Sequence, residues 1–215
     1  MIARGGFRKV ALAVLCAAGA GCVAQQKGGE SPATAPLAAR AIVPIPADMQ
    51  NAVRDAELWG KALYDRYTST ATSDSAAVQT ALETVRKSVN DSCAASYRAV
   101  AVTPPPGAPN DRIVVYYIGE VPETQGLMLG RHYRVETKPN GKGVLLGEPS
   151  TSRCLVVPPP PPGSTAPRLV THLLSPAPNE YHVFLSLLDA RALEVVTETG
   201  HWLVDQGRIS YLGRA

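Results

Sequence analysis

The sequence predicts an α+β fold, an N-terminal helical hairpin packed on a mainly antiparallel, meandering β-sheet. Three observations carry this. Between Met49 and Val89 apolar residues recur at three- and four-residue steps. From Tyr97 onward they fall instead into short β-branched and aromatic runs separated by turn residues. No strand–helix–strand alternation is visible among those runs, which argues against a parallel sheet.

The first helix begins near Asp48, which follows Pro46 and Ala47 and has the chemistry of an N-cap. Met49, Ala52, Val53, Ala56, Trp59, Leu63 and Tyr67 then share one face. "TSTATSDS" (Thr68 to Ser75) breaks the pattern, and Val78, Leu82, Val85 and Val89 form the stripe of a second helix. Arg86 and Lys87 suit the negative end of its dipole. "SYRAVAV" and "RIVVYYIGEV" read as strands. "LMLGRHYRVET" and "KGVLLGEP" flank "KPNG", whose Asn-Gly is a strong hairpin signal. "SRCLVV" is a further strand. The prolines from Pro158 to Gly163 lack N–H donors and predict an extended surface loop. The last third, "RLVTHLL", "YHVFLSLL", "ALEVVTE", "HWLV" and "RISYL", predicts a meander of short strands. The expected organisation is a signal peptide over 1–24, a flexible linker over 25–46 and one α+β domain over 47–215.

The first segment has the layout of an export signal. Arg4, Arg8 and Lys9 precede an apolar run from Val10 to Gly21 that is shorter than a spanning helix needs. "AGAGC" ending at Cys22 resembles a bacterial lipoprotein signal, with Gly19 standing where that class prefers leucine. The resemblance covers only these first two dozen residues. It implies lipidation of Cys22 and, with Val23 next, an outer-membrane lipoprotein facing the periplasm. A small-x-small site, "CVA" before Gln25, is the alternative and implies a soluble periplasmic or secreted protein.

Charge follows from the leader. The chain carries 21 Lys+Arg against 18 Asp+Glu. Loss of Arg4, Arg8 and Lys9 with the leader brings the mature chain to balance, with no basic stripe for nucleic acid. Of the four cysteines, Cys16 and Cys22 lie in or at the end of the leader. Cys93 and Cys154 remain, and in an oxidising compartment they predict a disulfide.

Catalytic motifs are absent: no H-E-x-x-H, no phosphate-binding loop, no G-x-S-x-G elbow. One constellation remains. In "THLLSPAPNEYHVF", read as a hairpin with a five-residue loop, His172 faces His182 and Glu180 shares their face. Two imidazoles and a carboxylate are a zinc ligand set. The arrangement depends on loop parity, since a loop longer or shorter by one residue sends the histidines to opposite faces. His132, Arg134 and Glu136 in "GRHYRVE" form a polar strand side suited to a ligand, a partner or solvent. The expected function is non-catalytic binding of another envelope protein or a cell-wall component, for instance as an inhibitor or immunity-type lipoprotein. Membrane contact comes only through a lipid anchor. The alternative is a metal-dependent hydrolase or metal-binding protein built on His172, Glu180 and His182.

Overall fold

The computed structural model describes residues 40–214 apart from 71–74 and 109–110. The signal peptide, Cys22 and the linker as far as residue 39 lie outside the described residues.

Helices and antiparallel sheets make a mixed α+β structure. A 3-10 turn at Ala47–Met49 leads into α1, Gln50–Thr68. Asp48 lies in that turn and makes no capping bond, so the predicted cap is not used. α1 buries the predicted face through Val53, Ala56, Trp59 and Leu63. α2 spans Ala76–Ser88, and Ser75 caps it by accepting the Val78 N–H at 3.3 Å.

The strands follow: β1 (Ser96–Val102), β2 (Ile113–Glu120), β3 (Leu127–Met128), β4 (Tyr133–Thr137), β5 (Val144–Pro149) and β6 (Val156–Val157). "LMLGRHYRVET" is therefore two strands, broken at Arg131, whose φ is +59°. The first sheet has the order β1-β2-β4-β5 and is antiparallel throughout. The predicted Asn-Gly turn joins β4 to β5. The Gly141 N–H donates to the Lys138 carbonyl at 2.8 Å, and Gly141 takes a φ of +76° that favours glycine. β3 and β6 form a separate two-stranded sheet.

The two N-terminal helices cover opposite faces of the first sheet. α1 packs with Val100, Val102, Val114, Tyr116 and Ile118, while α2 packs with the alternating set Ala101, Val115 and Val135. The reason lies in β2, where Val114, Tyr116 and Ile118 and the intervening Ile113, Val115 and Tyr117 are all apolar or aromatic. A strand apolar on both faces needs cover on both sides.

The C-terminal third departs further from expectation. β7 (Arg168–Thr171) is followed by α3 (Glu180–Leu188), then by β8 (Leu193–Thr197), β9 (Gly200–Asp205) and β10 (Arg208–Gly213). The second sheet has the order β10-β9-β8-β7, with β7 and β8 parallel. The predicted hairpin is thus a β-α-β unit, and "YHVFLSLL" is a helix rather than a strand. Asn179 caps α3 by accepting the Tyr181 N–H at 3.2 Å, and the His182 ring at N3 accepts the Asn179 N–H at 3.1 Å, closing a capping box. Six consecutive residues, Tyr181 to Ser186, are buried. A helix buried on all sides has no amphipathic period, and so reads like a buried strand.

One core joins the first sheet's α1 face, α1, α3 and the second sheet's inner residues, among them Val195, Trp202 and Val204. The chain before α1 also belongs to it. The Val43 N–H donates to the Tyr211 carbonyl at 2.9 Å, and Arg40 pairs with Glu194 at 2.8 Å. The linker expected over 25–46 is therefore docked structure from Arg40 on. α1 and α3 meet at Gly60, where an added Cβ would lie 2.5 Å from the Val183 Cβ and 2.6 Å from the Glu180 carbonyl oxygen. Gly60→Ala gains about 1 kcal/mol of helix propensity, but the overlap should more than cancel it. The expected net loss is roughly 1–2 kcal/mol, seen as a lower urea midpoint, and an unchanged or higher midpoint would contradict the crossing. Among the described residues no helix is long and apolar enough to cross a membrane.

Candidate functional site

A cleft of about 490 Å³ lies between the β4–β5 edge of the first sheet and the segment from His172 into α3. Its floor is set by strand alternation. Arg134 pairs with Glu148 and Glu136 with Leu146 across β4 and β5, so all four side chains share one face. Its wall is the loop carrying His172, Leu174 and Ser175, then Asn179, Glu180 and Tyr181 at the start of α3.

Charge in the floor is arranged as a chain. Arg112 Nη1 contacts Glu136 at 2.6 Å, Arg134 Nη2 contacts the other oxygen of Glu136 at 3.1 Å, and Arg134 Nη1 reaches Glu180 at 3.5 Å. The Tyr116 hydroxyl donates to Glu180 at 3.4 Å, and the Arg134 guanidinium sits 4.5 Å from the centre of the Trp59 ring. Burial disfavours the Arg134 charge, but Tyr116, Glu180 and Glu136 more than offset this and keep it protonated. Burial, followed by the charge of Glu180, raises both Tyr116 and Tyr181 well above the ordinary phenol range, so both hydroxyls stay protonated.

Two buried polar atoms in this cleft have no partner among the described residues: Arg134 Nε and the Tyr181 hydroxyl. Tyr181 is only 5% exposed and is held by an edge-on contact with Tyr116 and a stack on His132. The Glu148 carboxylate makes no hydrogen bond or ion pair among the described residues. Around these groups the rim is apolar, with Leu174 63% and Leu146 40% exposed.

The sequence-predicted site is partly assembled, by a different route. His172 and His182 do meet, with ring centres 4.7 Å apart and edge to face. The end of β7 and the first turn of α3 bring them together, so hairpin parity plays no part. Glu180 points instead to Arg134 and Tyr116. His182 Nδ1 is already occupied as the acceptor of the Asn179 N–H. The three side chains do not form a zinc ligand set, and among the described residues no group of three or more His, Cys, Asp or Glu does so. Burial lowers the pKa of His172, and burial together with His172 pushes His182 down to about 3.

His172 Nε2 also lies 2.9 Å from Ser175 Oγ, which invites a nucleophile reading. The hydroxyl proton goes elsewhere, to the Ala177 carbonyl at 2.5 Å. His172 must then donate to Ser175, the reverse of what a general base does.

Arg134 and Glu136 were legible as one polar side of "GRHYRVE". Tyr181 and Trp59 carried no such mark, because apolar periodicity accounts for both. The predicted Cys93–Cys154 disulfide is present, with Cα atoms 5.4 Å apart. A second hollow of about 540 Å³ borders Tyr67, Glu120, His132 and Arg168. Its polar groups are satisfied internally, with Arg168 held by Asp189 at 2.6 Å and Glu120 accepting from the Tyr67 hydroxyl at 2.6 Å.

Fold and site together define a mixed α+β domain with a polar-floored, apolar-rimmed cleft between the β4–β5 edge and the segment leading into α3. Comparison with known proteins finds no matching family model, curated protein or solved structure.

Proposed function

We propose that the chain is an exported envelope protein that acts by binding, and that the β4–β5/α3 cleft is its binding site. The observation that carries this is the pair of unpartnered polar atoms, Arg134 Nε and the Tyr181 hydroxyl. Each costs about 1–3 kcal/mol when buried without a hydrogen bond. The Tyr97 hydroxyl is a third such atom outside the cleft, so it is the convergence of two in residues of one cleft that supports a ligand as the missing partner. The apolar rim with convergent polar groups fits the same role. The leader supports export, and the disulfide is consistent with an oxidising compartment. The partner is a second envelope protein or a wall component, and Cys22 is the anchor where lipidated. Cys22→Ser should then move the protein from the membrane to the soluble fraction, and a wild type already soluble contradicts the anchor.

Tyr181→Phe tests the cleft. Removing an unsatisfied hydroxyl should leave stability unchanged or raise it by about 1 kcal/mol. A photo-crosslinking residue at Leu174 should capture the partner in the envelope, the same residue at Gln206 in the β9–β10 turn should not, and Tyr181→Phe should cut the Leu174 capture several-fold. Equal capture at both positions would overturn the reading.

A further inference from the structure

β5 is an edge with an unusual surface. It pairs only with β4, and all six of its residues are exposed. Val144, Leu145 and Leu146 are 43%, 51% and 40% exposed in succession. Bare apolar edges of this kind are normally blunted by lysine, proline or a bulge. Here Pro149 closes one end and the register slips at the other, where Glu136 faces Leu146 and Thr137 faces Val144, so that Leu145 is bulged and the regular edge runs from Leu146 to Pro149.

The edge also has backbone to offer. The Ser150 N–H donates to the His132 carbonyl at 2.6 Å. Antiparallel pairs alternate, so Arg134 and Glu148 are again a hydrogen-bonded pair; Pro149 between them has only a carbonyl to offer, and Gly147, beyond Glu148, directs its N–H and C=O away from β4. A Cβ at Gly147 would meet only the Val144 Cγ1, at 3.7 Å, so the sheet face at that position is open. On the cleft side the edge shows Leu146, then Glu148, whose carboxylate makes no ion pair among the described residues although Arg134 stands opposite it on β4.

We propose that β5 is the docking edge for an extended segment of the partner, which adds as a fifth strand to the first sheet. This rests on the cleft being the binding site. On the cleft side of the added strand, a basic side chain lies beside Glu148, and an apolar one two residues away lies against Leu146 and Leu174. The partner motif is therefore basic and apolar at alternate positions. A second copy of this chain pairing through β5 cannot satisfy the site, because Val144–Pro149 contains no basic residue to meet Glu148.

The test uses the full chain and a fluorescent, end-blocked eight-residue peptide in which threonine alternates with lysine or valine. A second peptide carries glutamate in place of lysine. Anisotropy should show binding of the basic peptide and several-fold weaker binding of the acidic one. Gly147→Pro, which blocks the outward N–H while sparing the β4 ladder, should weaken the basic peptide at least tenfold. Glu148→Arg, on an exposed side chain that puts folding at little risk, should reverse the preference between the peptides. Equal binding of both peptides, binding of neither, or a β5-dependent dimer of the wild type in sedimentation overturns the proposal. Failure of the peptides while cross-linking stays confined to Leu174 overturns strand addition alone. Loss of the Leu174 preference overturns the cleft itself.

Discussion

Lowering the pH from 7 to 5 is expected to remove about 4 kcal/mol of folding stability through two buried histidines. His132 and His182 are buried and neutral, and burial pushes their pKa values down to about 4 and about 3. Both use Nδ1 as an acceptor, His132 from the Gly119 N–H at 3.1 Å and His182 from the Asn179 N–H at 3.1 Å. Protonation would set one donor against another, so geometry and burial oppose the charge together. The native pKa values lie below the unfolded value of about 6.5. The stabilisation is therefore complete above that value and falls as the unfolded chain takes up protons the native one refuses. At pH 5 each histidine has lost about 2 kcal/mol, and His172, also lowered by burial, acts in the same direction. Urea midpoints at pH 7, 6 and 5 measure the slope. His182→Gln preserves an acceptor at N3 of the capping box and should remove roughly half of it. A flat midpoint over this range would mean that both rings take up protons in the native state as readily as in the unfolded chain.

Reducing the Cys93–Cys154 disulfide is expected to cost about 4 kcal/mol in the chain-entropy model, since the bridge spans 61 residues of sequence. The bond ties the lead-in to β1 to the segment before β6. It adjoins a second anchor in which the Cys93 N–H donates to Asp91 at 2.8 Å, Arg131 pairs with Asp91 at 2.6 Å, and the Tyr133 hydroxyl also donates to Asp91. Those bonds hold the folded geometry when the bridge is opened, so the loss should come mainly from the freer unfolded chain. Urea unfolding with and without reductant, and of the Cys93→Ser/Cys154→Ser variant, should give matching losses. Unchanged midpoints would show that the bridge contributes nothing net. Denatured, unreduced protein should show neither thiol reactive.

Several elements were legible because their signals are local. The α1 stripe from Val53 to Leu63 repeats at helical steps. Asn140 and Gly141 turn the chain between β4 and β5. Cys93 and Cys154 were paired in expectation because no other cysteine remained in the folded part. α3 was not legible, because a helix with Tyr181 to Ser186 all buried loses its period. The hidden capping box is the instructive case: Asn179 followed at N3 by histidine is a start signal that the usual glutamate or glutamine would have made plain. The two histidines, whose meeting hung on loop parity in the sequence, meet through the first turn of α3 and not across a hairpin.

By itself the sequence determined the mixed α+β composition, the helix-to-strand order of the first half and the disulfide partners, because each follows from composition or from short-range periodicity. Only the tertiary structure decided that α1 and α2 take opposite faces of one sheet, that Arg134, Glu136, Glu148 and Tyr181 share a cleft, and that two of their polar atoms lack partners among the described residues. Those facts depend on which surfaces meet across long sequence separations, and burial on several sides erases the pattern that would have announced them.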